Sequence, residues 1–199
     1  MDPQADEGLR AVAEKIKECR RCPLCEARNN PVPGEGGFRK GIMFIGEAPG
    51  KNEDEKGRPF VGKAGELLNE LLDSIGLTRD DVFITNVVKC RPPNNRDPAP
   101  EEVNACSPFL EKQILILKPK IIVALGRHAW KWVCEHMGIP YESLSKARGK
   151  IYRSNTLLYG TIDVMPTYHP AAAIYRKEIL PLLKEDFRKL GKLFRGTDC

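Results

Sequence analysis

Residues 41–50 read Gly41-Ile42-Met43-Phe44-Ile45-Gly46-Glu47-Ala48-Pro49-Gly50, an apolar run that stops in glycines and a single carboxylate. A run this short, rich in Ile and Phe, is the signature of a buried strand. Gly46 and Gly50 around Pro49 then make a tight turn in which the backbone can approach a ligand closely, because glycine presents no side chain. In open α/β sheets, ligands bind just outside the carboxyl ends of the strands. The turn is therefore either an ordinary strand-to-helix connection or one wall of a site.

Three further apolar runs follow the same plan. Val82-Phe83-Ile84-Thr85 ends in Asn86, Ile121–Leu125 closes on Gly126, and Thr161–Met165 leads into Pro166-Thr167-Tyr168-His169. Apolar residues at helical spacing lie between and around them. They mark helices over about residues 5–18 (Leu9, Val12, Ile16), around Leu67–Ile75 with Gly76 as a stop, from about Glu101 to Leu117, around Trp130–Met137, and at the carboxyl terminus (Leu182–Leu193). The expected fold is α/β, three layers α/β/α around a central four-stranded, mainly parallel sheet. Lys51–Lys56 reads as a solvated charged loop, and residues 139–160 as irregular with a hairpin around Ser154-Asn155. His128 and His136 do not share a helix face and read as structural or exposed.

Several classes of function are disfavoured at this level. Gly46 and Gly50 are separated by three residues, and Asn52 follows Lys51; a phosphate-binding P-loop needs four and a Ser or Thr. No apolar run approaches membrane-spanning length, and the start, Met1-Asp2-Pro3-Gln4, lacks the basic and apolar regions of a signal peptide. A soluble, cytoplasmic monomer without a membrane partner is expected. The 199 residues suffice for one domain over 1–199, with an amino-terminal arm of about residues 1–37 tied down by a cysteine site. The 32 basic against 27 acidic residues give +5, compatible with a polyanionic partner without identifying one.

Seven cysteines in a chain with no secretory signal argue for metal or cluster ligation rather than disulfides. Two residues separate Cys19 from Cys22, a spacing that turns both sulfurs onto one centre. Cys90 follows the second strand and Cys106 sits on the next helix, so the four could form one thiolate site clamping the arm to that loop. Cys25 could compete with Cys22 as a ligand, and spacing alone favours zinc. Among candidate binding residues, Phe60 sits between Pro59 and glycines just before a helix, where it either packs into the core or presents a flat face to a planar ligand. Asn86 offers a donor and an acceptor side by side, matching a pyrimidine edge.

Taken together, Gly46-Glu47-Ala48-Pro49-Gly50, Gly57-Arg58-Pro59-Phe60-Val61-Gly62, Thr85-Asn86-Val87-Val88-Lys89-Cys90-Arg91-Pro92-Pro93, Leu125-Gly126 and His169-Pro170-Ala171-Ala172-Ala173 closely resemble the family 4 uracil-DNA glycosylases. These are iron-sulfur enzymes of bacteria and archaea that remove deaminated cytosine from DNA. The resemblance runs from about Cys19 to about residue 190. It implies that Phe60 stacks on an everted uracil, that Asn86 bonds O4 and N3–H, and that His169 donates to O2 as charge develops there. It also implies a 4Fe-4S cluster on Cys19, Cys22, Cys90 and Cys106, reversing the preference for zinc. Gly46, Glu47 and Ala48 would line the uracil site. Where the best-known branch of the superfamily has an Asp to support the water, this chain has Ala48, so Glu47 becomes the candidate to orient uracil or water. Glu53 is the candidate to exclude the thymine methyl. Arg20, Arg21, Arg91 and Arg96 are placed to meet phosphates, and Ile174, Tyr175 and Arg176 to enter the minor groove.

Overall fold

The computed structural model describes residues 2–196. Helix α1 spans Pro3–Lys17, with Asp2 accepting from the Gln4 amide at its start. A short α2 (Leu24–Ala27) precedes strand β1 (Ile42–Gly46), followed by α3 (Lys51–Lys56) and α4 (Lys63–Asp73). Then come β2 (Val82–Asn86), α5 (Pro100–Leu117), β3 (Ile121–Leu125), α6 (Arg127–Met137) and α7 (Leu144–Ala147). Strands β4 (Tyr152–Thr156) and β5 (Gly160–Thr167), α8 (Pro170–Tyr175) and α9 (Ile179–Gly196) complete the order.

The sheet has five strands in the order β2-β1-β3-β5-β4, all parallel except β4, which pairs antiparallel with β5. The expected four strands are thus joined by a fifth. The hairpin turns at residues 157–159, and Ser154-Asn155 lies inside β4. Its sequence, Tyr152-Arg153-Ser154-Asn155-Thr156, is too polar to announce a strand, as suits an edge strand with one face towards water. The segment Lys51–Lys56 is also corrected, from loop to helix. Lys51, Glu55 and Lys56 point outward, Glu53 is half-buried, and Asp54 is buried and accepts from both the backbone and the side-chain amide of Asn29.

Side chains alternate between the two faces of the sheet, as a pleated strand requires. Met43, Ile45, Phe83, Ile122, Ala124 and Val164 pack with α1, α5 and α6. Ile42, Phe44, Val82, Ile84, Val123 and Met165 pack with α4 and α9. This is the three-layer arrangement. The amino-terminal arm is sewn to β2: Glu35 bridges Ile84, and the Val32 amide donates to the Lys89 carbonyl.

Strand order reverses between β1 and β3, so the carboxyl ends of β1, β2, β3 and β5 converge at the crevice where α/β folds place their ligands. The end of β5 is fixed from below. Thr167 donates to fully buried Asp186 at 2.6 Å, Arg148 grips the same carboxylate at 2.7 and 3.1 Å, and the Thr167 carbonyl accepts from the Gly126 amide. Removing the anion would leave the Arg148 guanidinium, itself only 14% exposed, without its main partner. Asp186→Ala should therefore lose about 3–5 kcal/mol of folding stability in chemical denaturation; a loss below about 1 kcal/mol would show that this bond does not fix β5.

Candidate active site

Beyond β1 and β2 the parallel ladder continues for two residues, with the Val87 amide on the Gly46 carbonyl (2.9 Å) and the Val88 amide on the Glu47 carbonyl (3.0 Å). Gly46 is in register with Asn86, and a Cβ on Gly46 would lie 2.3 Å from Asn86 Oδ1 and 3.0 Å from the Phe60 ring. Glycine is thus demanded by the close approach of two side chains. Asn86 is 2% exposed, and its Oδ1 is buried without a hydrogen-bond donor, one of two such side-chain atoms among the described residues. An orphaned acceptor costs roughly 1–3 kcal/mol, which a ligand N–H would recover.

Phe60 is held in a left-handed backbone conformation, φ +52, that a bulky residue adopts only when its surroundings impose it. The Arg79 guanidinium supplies the constraint, donating to the carbonyls of Pro59 and Phe60 while paired with Glu35, which also binds Arg58. Gly65 packs under the loop, where a Cβ would fall 1.8 Å from the Phe60 carbonyl oxygen. Glu53 completes the support: its Oε1 accepts from the amides of Val61 and Gly62 at the start of α4.

His169 caps α8, its Nδ1 accepting from the Ala171 amide at 3.1 Å. That bond leaves the proton of the neutral ring on Nε2. Burial pulls the imidazole pKa down to about 4, against a smaller opposing pull from Glu53, so the ring is neutral at physiological pH. The His169 and Phe60 rings lie 5.2 Å apart and 25° from parallel, forming one continuous wall. Phe60, Asn86 and His169 line a single pocket of about 310 Å³ with Glu47, Ala48 and Glu53. Asn95, in a left-handed conformation on the Pro92–Arg96 loop, also lines it, which no local signal beyond that loop's rigidity would have revealed.

Glu47 stands at the edge of this pocket. Burial raises its pKa above the usual carboxylate range, with Asp97 adding to the rise and His128 and Arg127 opposing it. His128 was expected to be structural or merely exposed; instead its Nε2 lies 3.9 Å from Glu47 and 3.2 Å from Asp97, and Arg127 in turn pairs with Asp97. The chain folds three distant segments together here, so spacing could not show it.

Cys19, Cys22, Cys25, Cys90 and Cys106 all line a second cavity. All are free thiols, and burial pushes Cys106 up to about 11 and raises Cys90 and Cys22. Two N–H groups already face sulfur: Arg28 Nη1 donates to Cys90 at 3.0 Å and the Lys89 amide to Cys106 at 3.2 Å. Such donors suit bound thiolates. Among the described residues no three of these sulfurs lie within 4.8 Å of one another. Four thiolates on one tetrahedral zinc would sit about 3.8 Å apart, so the donor set fits a wider group better than a single ion. Lys89 also ties this site to the pocket: its buried ammonium donates to the Asn86 carbonyl, Thr85 and Gln113 at 2.6–2.8 Å.

Of the expected phosphate contacts, Arg91 donates to Asn95, and Arg96 makes a bidentate pair with buried Glu102. That pair ties Arg96 to the start of α5 while leaving its side chain 46% exposed. Ile174, Tyr175 and Arg176 are exposed at the end of α8, Tyr175 to 86%.

Residues 33–191 match the uracil DNA glycosylase superfamily. The chain is 53% identical to the type-4 uracil-DNA glycosylase of Sulfurisphaera tokodaii over 94% of its length and 85% of that protein. It is 46% identical to that of Archaeoglobus fulgidus, over 94% of each chain, and 45% identical to that of Thermotoga maritima, over 92% and 93%. Both the geometry of the pocket and these likenesses lead to one conclusion: the chain belongs to the uracil DNA glycosylase superfamily and stands with its type-4 members.

Proposed function

We propose that this protein is a monofunctional uracil-DNA glycosylase that hydrolyses the N-glycosidic bond of deoxyuridine and leaves an abasic site. The observation that carries the reading is the buried, donor-less Oδ1 of Asn86 beside Phe60 and His169. Uracil presents N3–H and O4 side by side, which the Asn86 amide satisfies with its acceptor and donor. Cytosine presents the opposite polarity and would leave both groups unpaired. The Phe60 and His169 rings are too close to admit a base between them, so the pyrimidine lies against the open face of Phe60 with His169 at its O2 edge.

As the C1′–N1 bond breaks, its electron pair leaves with the base and charge gathers on O2. The neutral imidazole stabilises that oxygen through a hydrogen bond from Nε2–H, and water adds its oxygen to the sugar C1′ on the opposite side, the proton it gives up ending on the released uracil anion. Glu47 orients the water or the base; Ala48 carries no group for the task. Glu53 supports the Phe60 loop from the pocket wall, where it also stands against a thymine methyl. Cys19, Cys22, Cys90 and Cys106 hold a 4Fe-4S cluster, which fastens the arm to the loop after β2; hydrolysis requires no electron transfer from it. Ile174, Tyr175 and Arg176 enter the space vacated in the stack, and Arg91 meets a phosphate. The protein acts on uracil-containing DNA as a monomer, and no helix among the described residues is long and apolar enough to cross a membrane.

Incubating the protein with a single-uracil oligonucleotide, followed by alkali, should cleave the strand at the uracil; an intact strand would overturn the reading. Asn86→Asp exchanges the amide donor for a carboxylate facing O4, so single-turnover excision of uracil should fall at least about a hundredfold, or roughly 2.7 kcal/mol. Retention of the parent rate would remove Asn86 from base reading. For His169, the ring resonances should titrate near pH 4 rather than near the model-compound value of about 6.5. Because that folded value is depressed, the ring's contribution to folding is intact above about pH 6.5 and is lost as pH falls towards 4. His169→Ala should slow excision on the order of a hundredfold or more. A purified chain containing zinc and no sulfide would exclude the cluster.

A further inference from the structure

Beside the cysteine cavity lies a second, open pocket of about 350 Å³ lined by Lys15, Cys19, Arg20, Arg21, Pro108, Phe109 and Lys112. Four of its seven lining residues are cations, and none is an acid. They come from three elements: the end of α1, the Cys19–Cys22 turn and the middle of α5. All four are exposed, and among the described residues none has a carboxylate within 4.0 Å. Many cations elsewhere are compensated. Arg10, Lys17, Arg58, Arg79, Arg96, Arg127, Arg148 and Arg153 each sit on an Asp or Glu.

The carboxyl-terminal dipole of α1 favours Lys15 at its last turn, but it does not account for Lys112 on a second helix or for the two arginines beyond the end. Arg21 is, moreover, pre-set, its guanidinium lying 5.5 Å from the centre of the Phe109 ring. Bringing four uncompensated cations around one concavity is unfavourable unless an anion occupies it. The pocket is coupled to the catalytic end through shared walls. The cysteine cavity borrows Cys19, Arg21 and Phe109 from it and Val88, Lys89 and Cys90 from the segment that follows Asn86.

We infer that Lys15, Arg20, Arg21 and Lys112 form a binding pocket for the phosphodiester backbone of DNA, distinct from the uracil pocket and anchoring the duplex away from the everted base. The inference rests on the glycosylase reading for its choice of DNA over a free anion. A backbone phosphate spreads negative charge over oxygens that accept from several donors at once, and the arginine held over Phe109 offers a planar fork for it. The cysteine site then has a use beyond fastening the arm, because it fixes the turn that carries two of the four cations.

The test is duplex binding by the double variant Lys15→Gln/Lys112→Gln, measured against salt concentration on undamaged DNA. Both residues are exposed on helices, and equal thermal stability and visible absorbance would verify that the variant is folded. Each lost phosphate contact should lower the slope of log affinity against log salt by about 0.9, hence about 1.8 for the pair and about half that for either single variant. A control, Lys184→Ala/Lys192→Ala, removes the same net charge from exposed positions on α9. An unchanged slope in the pocket variant, or an equal drop in the control, would overturn the proposal. So would inorganic phosphate binding that the variant loses while its duplex slope is unchanged, which would mark a free-anion site. Excision by the unaltered chain is followed in parallel: its absence would count against the glycosylase reading, whereas excision with an unchanged slope would count against the pocket alone.

Discussion

Everything at the catalytic end depends on the register that sets Gly46 opposite Asn86. Parallel pairing brings the strand ends level, the ladder carries on through Val87 and Val88, and the missing Cβ of Gly46 lets the Asn86 amide and the Phe60 ring close to contact over it. A one-residue slip would turn Asn86 to the other face of the sheet, away from Phe60 and His169. The helices and the Asp186–Arg148 anchor serve to hold that register and the end of β5 in the same frame.

The electrostatics of the pocket separate two tasks. His169 is kept neutral by burial, with its one proton directed into the pocket by the Ala171 amide on the other nitrogen. It therefore presents a fixed N–H dipole to the pocket rather than a formal charge. Glu47 lies at the border between the pocket and a charged surface group of Asp97, His128 and Arg127, where burial raises its pKa and its neighbours partly offset one another. A carboxylate in that setting can accept from water or from a base N–H without being shielded by a direct ion pair. A neutral donor and a half-buried acid thus line the same pocket.

Much of this was legible in the sequence because the residues around the pocket follow apolar strands directly. Gly46, Asn86 and His169 are each at or within two residues of a strand end, and apolar runs locate such ends well. What escaped depends on contacts between distant segments. Lys51–Lys56 looks solvated until Asp54 turns inward to Asn29, and His128 looks idle until Asp97 and Glu47 are folded against it. The strained backbone of Phe60 follows from Arg79, nineteen residues away, and Gly65, and no local propensity encodes it. The pairing of Arg96 with buried Glu102 was likewise invisible, because a basic residue in a loop carries no local sign of its partner. Strand β4 escaped because an edge strand facing water has no apolar run to show.

The central claim is that the donor-less amide oxygen of Asn86 is a reading head for uracil, walled by Phe60 and His169. The most direct measurement is a crystal structure of the protein with free uracil. Uracil should lie against Phe60, its N3–H bonded to Asn86 Oδ1, its O4 to the Asn86 amide nitrogen, and O2 facing His169 Nε2. Uracil bound elsewhere, or bound here with Asn86 Oδ1 still lacking a donor, would contradict it.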